Sequence, residues 1–161
     1  MKKMTLRYIL TAFFLAVTTA AMAADISDLD RVHVLMSKTK VVSILGAPHH
    51  TGTLRMNLTA DLYTLTGLPE GETGAMVGAG CIYDKDQVLK GQAFMFSGKV
   101  AKHSADHMTA MGFALVEKGE NTFRLLGKDD DSGHPIVVYI FEEAGVTTMM
   151  VFEKGFYDSR G

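Results

Sequence analysis

The sequence predicts an α+β fold in which short helices pack on one face of an antiparallel sheet. Two observations favour this class. Short apolar and β-branched segments separated by turn residues fill the second half of the chain, as in an antiparallel meander. In addition, a short amphipathic helical segment precedes each of two groups of strands, over 32–100 and 101–154. The arrangement predicts a single domain over 24–161, with two half-repeats of one helix and three strands as one interpretation.

Residues 1–23 have the three-part pattern of a cleavable secretory signal peptide. Lys2, Lys3 and Arg7 precede an apolar run, and the segment ends in small residues. The apolar run is shorter than the roughly 20 residues that span a bilayer, so a retained membrane anchor is the lesser alternative. We expect cleavage near Ala23/Ala24, a periplasmic mature protein and no membrane anchor after cleavage.

The charge and the cysteine content exclude several classes of function. The formal net charge is −2, and loss of the three basic residues of the leader lowers it to −5. A mildly acidic domain is not expected to bind nucleic acid or anionic lipid, because both require a basic surface. The single cysteine, Cys81, cannot form an internal disulfide and does not lie at the processing site, where a lipid could be attached.

The first element of the mature chain is a helix that begins near residue 38. Ser37 can cap it, because a serine hydroxyl accepts a hydrogen bond from a free N–H of the first turn. Apolar residues at i, i+3 and i+4 of this segment share one buried face. Gly46 suits the left-handed position after the helix, and Pro48 prevents its continuation. Ser37, Gly46 and Pro48 are therefore assigned structural roles.

A loop rich in glycine separates the strands of the first half. The predicted elements are a strand at 61–66, a loop at 67–80, and strands at 81–83 and 91–96. If the protein binds a partner through this loop, the expected contact residues are Leu68, Pro69, Glu70, Met76 and Val77.

The second half is predicted to begin with a helix from Ser104 to Met111, capped by Ser104 and ended by Gly112. Four strands follow, at Phe113–Glu117, Thr122–Gly127, Pro135–Glu142 and Val146–Glu153. The last two are long, apolar and rich in β-branched or aromatic residues, which predicts that they lie at the centre of the sheet.

The segment Leu35–Pro48, LMSKTKVVSILGAP, resembles the opening of the SmpA/OmlA-like family of small bacterial envelope proteins, which has a polar helix start, a buried valine and Leu-Gly-x-Pro. Leu35 stands where that family typically has glycine. Phe94–Val100, FMFSGKV, is similar to the family's third strand and the following turn, so the resemblance covers about residues 32–100. The plan over 101–154 resembles the tandem β-lactamase-inhibitor-protein-like architecture. The resemblance implies a role in outer-membrane protein assembly or in binding other proteins.

Histidines are the weak candidates for metal ligands. His103 and His107 have the i, i+4 spacing that can bring two imidazoles onto one helical face, beside Asp106. With Ser104 as the cap, however, His103 would lie just outside the helix, and exposed polar residues are the preferred interpretation. His49-His50 and His134 are interpreted as loop histidines, although they could form a scattered imidazole site.

Other chemical motifs are incomplete. The segment 129–133, DDDSG, has carboxylates at alternate positions but lacks the distal ligand of a calcium loop, so a charged hairpin turn is preferred. Cys81 has no neighbouring base that would activate a thiolate. The methionines of the predicted strands and helices are interpreted as core residues.

These observations predict a non-enzymatic periplasmic protein-binding or scaffold protein of the cell envelope, without a cofactor and without catalytic residues. Its expected partner is another envelope protein. The alternative is a periplasmic protein that binds a small ligand or a metal through histidines together with Tyr63, Tyr83 or methionines.

Overall fold

A computed structural model describes residues 23–66 and 72–160 of the chain. Residues 1–22 of the predicted leader, residues 67–71 and residue 161 lie outside this part. The elements in chain order are β1 (Ala24–Asp25), a 3₁₀ helix (Ile26–Arg31), α1 (Lys38–Leu45), β2 (His50–Leu54), a three-residue 3₁₀ turn (Arg55–Asn57), β3 (Leu58–Tyr63), β4 (Leu65–Thr66), β5 (Met76–Tyr83), β6 (Leu89–Ser97), α2 (Ala101–Ala110), β7 (Ala114–Lys118), β8 (Thr122–Lys128), β9 (Pro135–Glu143), β10 (Val146–Glu153) and α3 (Lys154–Asp158).

One eight-stranded antiparallel sheet dominates the described part of the chain, in the order β2-β3-β5-β6-β10-β9-β8-β7. The first half of the chain supplies four strands and the second half supplies the other four. The halves meet where β6 pairs with β10, in a register that places Phe94 opposite Met149 and Ala93 opposite Met150. A short parallel pair, β1 with β4, lies outside this sheet.

The predicted α+β class is wrong. The described structure is mostly β, with 48% strand and 23% helix, and its few helices are short. They also do not share one face of the sheet. The 3₁₀ helix over Ile26–Arg31 and α1 pack on the face of the sheet that carries Tyr83. The helix α2 packs on the same face, farther along the sheet. In contrast, α3 packs against Phe152 on the opposite face. The first half supplies four strands of this sheet rather than three, whereas the four strands predicted for the second half are all present.

Two local features explain why the sequence predicts fewer strand residues than the structure contains. β2 has the sequence HTGTL, which carries little apolar signal, because this strand lies at the edge of the sheet. In β5, Gly78 and Gly80 were assigned to the loop over 67–80. Instead, Gly80 lies within the strand, where a Cβ would come within 3.2 Å of the Leu62 side chain. Close packing between strands therefore accounts for a glycine that resembled a turn residue.

Local sequence determines the ends of α1. The Ser37 hydroxyl accepts a hydrogen bond from the Lys40 backbone N–H at 3.3 Å, and the helix begins at the next residue after the serine. At the other end Gly46 has a φ of +81°, and Pro48 follows it. Val41 and Leu45 on the inner face are buried against the sheet.

The start of α2 differs from the prediction. The helix begins at Ala101, three residues before Ser104, so Ser104 lies inside it and is not its cap. No side chain of the helix's own segment caps it; instead, side chains from two strands that are distant in sequence accept hydrogen bonds from its first N–H groups. The Glu142 carboxylate of β9 accepts from the Ala101 N–H at 2.9 Å, and the Thr147 hydroxyl of β10 accepts from the Val100 N–H at 2.8 Å.

Candidate functional site

The residues expected to contact a partner fall into two groups. Leu68, Pro69 and Glu70 lie outside the described residues. Met76 and Val77 begin strand β5 and are not part of a loop. The register shifts between residues 76 and 78, so Val77 is the extra residue of a bulge and its side chain is 47% exposed. Met76 is half-buried.

Met76 lines an apolar groove on the face of the sheet that carries the 3₁₀ helix. The residues of the apolar groove are Ile26, Leu29, Met76, Phe94 and Met149, with Ser27 and Asp30 as its exposed polar members. Phe94 and Met149 lie directly opposite each other where β6 pairs with β10. The groove therefore lies at the boundary between the core under α1 and the core under α2.

Most side chains of the apolar groove are only partly buried. Ile26, Met76, Phe94 and Met149 are half-buried, although each packs against a core cluster. Adjoining apolar side chains that are not fully buried retain apolar area that a partner molecule would cover. Methionine side chains are also flexible enough to adapt to different partners.

Among the described residues, Asp30 is the only charged one that lines the apolar groove. Its neighbours along the 3₁₀ helix are already engaged, because Asp28 pairs with Arg31 at 2.9 Å and Asp25 accepts from Ser27. Asp30 forms no ion pair with a described residue. The groove thus combines an apolar wall with one exposed carboxylate that forms no ion pair within the described part of the chain.

A second cleft lies at the other end of the sheet, beside α3. Its lining includes Asp84, Lys85, Asp86 and Arg160, together with Met56. Lys85 and Asp86 are highly exposed and pair with each other at 3.3 Å. Well-hydrated charges of both signs offer little net binding free energy, so this cleft is the weaker candidate.

A second functional candidate is a polar cluster centred on buried residues of β3 and β5 and extended by α1 and β2. It is defined by Lys38, Thr51, Thr59, Asp61, Tyr63, Cys81 and Tyr83. Asp61 is completely buried, and its Oδ1 accepts from the Lys38 ammonium at 2.8 Å and from the Thr51 hydroxyl at 2.7 Å. The Lys38 ammonium also lies 5.2 Å from the centre of the Tyr83 ring, as in a cation–π contact.

Several atoms of the polar cluster have no hydrogen-bond partner of acceptable geometry. They are Thr59 Oγ1, Asp61 Oδ2 and the hydroxyls of Tyr63 and Tyr83. Leaving a buried polar group unpaired costs about 1–3 kcal/mol. Such a concentration of unpaired atoms is therefore unusual in a native core.

Burial controls the protonation of this cluster. It raises the pKa of the Tyr63 and Tyr83 hydroxyls, and the neighbouring Cys81 and Asp61 raise both further. The two hydroxyls also act on each other, which raises the pKa of Tyr83 and opposes the rise for Tyr63. Burial likewise raises the pKa of the Cys81 thiol to about 12, despite the nearby Tyr83 hydroxyl, which lowers it. Cys81 is therefore a protonated thiol at neutral pH, which is the unreactive form of cysteine.

The weak metal candidates share one helix but have no third ligand beside them in the described part of the chain. His103 and His107 do lie within α2, four residues apart, because the helix begins earlier than predicted. Both are exposed, and Asp106 beside them pairs with Lys102. In the part of the chain that the structure describes, no group of three His, Cys, Asp or Glu residues could hold a metal ion.

His50 and His134 are far apart in the sheet. His50 lies on β2 at one edge of the sheet, whereas His134 precedes β9 near the other edge. In the β8–β9 turn, Asp129 accepts two hydrogen bonds from Ser132, and Gly133 has a φ of +69°. The turn also contacts the first half of the chain, since His33 lies within 3.5 Å of carboxylate oxygens of Asp129 and Asp131.

The sequence did not reveal how Lys38, Asp61 and Phe94 contribute to these two sites. An acidic residue at an inward position of a strand is a usable signal for Asp61, since a buried carboxylate requires partners. No helix among the described residues is long and apolar enough to cross a membrane. Comparison with family models, curated proteins and solved structures finds no match to the chain.

Proposed function

We propose that this chain is a non-enzymatic binding protein of the cell envelope that holds an apolar segment of another envelope protein in its apolar groove. The observation that carries the proposal is the cluster of half-buried apolar side chains on the sheet, with Met76, Phe94 and Met149 from three different strands. Partners that cover such a surface gain free energy from burying apolar area.

The charge of the groove favours one kind of partner. Asp30 is exposed beside apolar walls, and the mature protein has an excess of acidic residues. A partner segment with apolar side chains and an adjacent Lys or Arg would pair with this carboxylate. Such complementarity contributes mainly to specificity and to the rate of association.

The sequence supports a location in the envelope through the predicted leader and through the resemblance to SmpA/OmlA-like proteins. One backbone feature agrees with that resemblance. Leu35 has a φ of +72°, a conformation that glycine adopts without strain, at the position where the family typically has glycine. Binding of another protein is the role that the resemblance implies.

A small-ligand protein is the second candidate, and the polar cluster around Tyr63 and Tyr83 favours it. This cluster is buried, so a ligand there would be small and enclosed. The metal-binding form of this alternative has less support, since the described histidines do not converge.

Site-specific crosslinking in the protein's own host tests the proposal. A photo-crosslinking amino acid replaces Ser27, which is exposed and lines the groove. The expected result is a discrete protein adduct that Met76→Asp abolishes and Asp30→Lys weakens. Met111→Asp is the matched control, because Met111 is a 53% exposed methionine that does not line the groove.

Circular dichroism would check that each variant remains folded. An adduct that persists at full yield in Met76→Asp would contradict binding in the groove. So would an adduct that Met111→Asp abolishes equally, because a general loss of association would not depend on this site.

A further inference from the structure

The unpaired buried atoms of the polar cluster are not scattered through the protein. Thr59, Asp61 and Tyr63 alternate along β3, so their side chains share one face of the sheet. The register places Tyr83 opposite Thr59 and Cys81 opposite Asp61. All four unpaired atoms thus belong to two adjacent strands and one face.

The cluster also extends to the protein surface. Thr51 is exposed on the edge strand β2, and the Lys38 side chain is 24% exposed. Both bond to Oδ1 of Asp61, which leaves Oδ2 of the same carboxylate without a partner.

The charges of Lys38 and Asp61 determine whether a cation, an anion or a neutral molecule can bind in the polar cluster. A cation is disfavoured, because the Lys38 ammonium already compensates Asp61 and both tyrosines are neutral. An anion is disfavoured by the Asp61 carboxylate itself. What remains is a neutral molecule that donates to Asp61 Oδ2 and exchanges hydrogen bonds with tyrosine hydroxyls.

We propose that Asp61 Oδ2 and the hydroxyls of Tyr63 and Tyr83 enclose a binding site for water, occupied by at least one long-lived internal molecule. Water has the required size, donates two hydrogen bonds and accepts two. Internal waters typically form about three hydrogen bonds to otherwise unpaired buried groups. This site is separate from the apolar groove and does not depend on the proposed protein partner.

A crystal structure of the mature protein at high resolution tests the proposal directly. The expected result is density for a water within hydrogen-bond distance of Asp61 Oδ2 and of at least one tyrosine hydroxyl. A direct hydrogen bond from Tyr83 or Tyr63 to Asp61 Oδ2, with no molecule between them, would overturn it.

Two solution measurements extend the test. Oxygen-17 magnetic relaxation counts long-lived waters, and Tyr83→Phe is expected to lose at least one of them, whereas Tyr157→Phe on the opposite face loses none. An unchanged count in Tyr83→Phe and Tyr63→Phe would refute the site. Native mass spectrometry of protein from its own host would detect a retained organic molecule, and such a molecule in the cluster would refute the assignment to water.

Discussion

The ammonium of Lys38 lies 2.8 Å from Oδ1 of Asp61 and joins the first residue of α1 to the middle of β3. The two partners have different access to solvent. The Asp61 side chain is fully buried, whereas that of Lys38 is 24% exposed. Removing the lysine therefore leaves a buried carboxylate without its counterion, but removing the aspartate leaves an ammonium that can reach water.

This asymmetry predicts unequal effects of two substitutions. Lys38→Met should lower the free energy of unfolding by about 3 kcal/mol, because a buried charge loses its partner. Asp61→Asn keeps a side chain that can bond to Thr51 and should cost only about 1 kcal/mol. Urea denaturation of both variants measures the difference. An Asp61→Asn variant that is less stable than Lys38→Met would contradict this account.

The hairpin between β9 and β10 offers a stabilising substitution. Its two-residue turn consists of Ala144 and Gly145, whose φ angles are +52° and +79°. Alanine is strained at positive φ, whereas Asn-Gly is favoured in turns of this type. Ala144→Asn should raise the free energy of unfolding by about 0.5–1 kcal/mol.

Thermal denaturation of this variant would show an increased Tm. Ala114→Asn is the matched control, because Ala114 is exposed but lies in the edge strand β7. It is expected to have no effect or to destabilise the protein slightly. Equal gains from both substitutions would show that the turn conformation is not the cause.

The sequence predicted those parts of the fold whose causes are local. α1 begins after Ser37 and ends at Gly46, because the cap and the left-handed glycine lie within the helix's own segment. α2 was misplaced because its first N–H groups bond to Glu142 and Thr147, which lie more than forty residues away. A sequence pattern within a few residues of the helix start therefore cannot predict these contacts.

The sequence likewise predicts only part of the candidate site. Met76 was singled out from the sequence, but as part of a loop rather than as the start of β5. The other walls of the apolar groove, Phe94 and Met149, meet because of the register between β6 and β10. Strand register follows from the packing of the whole sheet, so neither residue could be assigned to the groove beforehand.

The β8–β9 turn should contribute to stability in a manner that depends on pH. Burial opposes ionisation of Asp129, but hydrogen bonds from Ser132 and the nearby His33 outweigh burial and lower the pKa of this carboxyl. A carboxyl whose pKa is lowered by folding contributes stability above its unfolded pKa of about 3.9, and that stability is lost as the pH falls through the folded pKa.

Asp129→Asn should therefore be less stable than the unchanged protein at neutral pH, and the difference should shrink in strong acid. Chemical denaturation at a series of pH values measures it. Asp130→Asn is the control, because it removes one charge from the same turn without removing the bonds to Ser132. If both variants follow the same pH dependence, general charge repulsion explains the effect.

Gly91 provides a test of packing on the face of the sheet opposite to the polar cluster. A Cβ at this position would lie 2.5 Å from the ring of Phe152, which is 2% exposed and packs against Phe156 and Tyr157 of α3. Gly91→Ala should therefore cost about 1–3 kcal/mol, because the buried ring has little room to move.

Gly80→Ala is the comparison for this substitution, since its Cβ would lie 3.2 Å from the flexible end of Leu62. We expect a smaller loss there, because a terminal methyl group can shift by a few tenths of an ångström. In addition, Phe152→Leu should destabilise the protein less in the Gly91→Ala background than alone, because the smaller side chain relieves the clash. Strict additivity of the two substitutions would show that Phe152 is not what excludes a side chain at position 91.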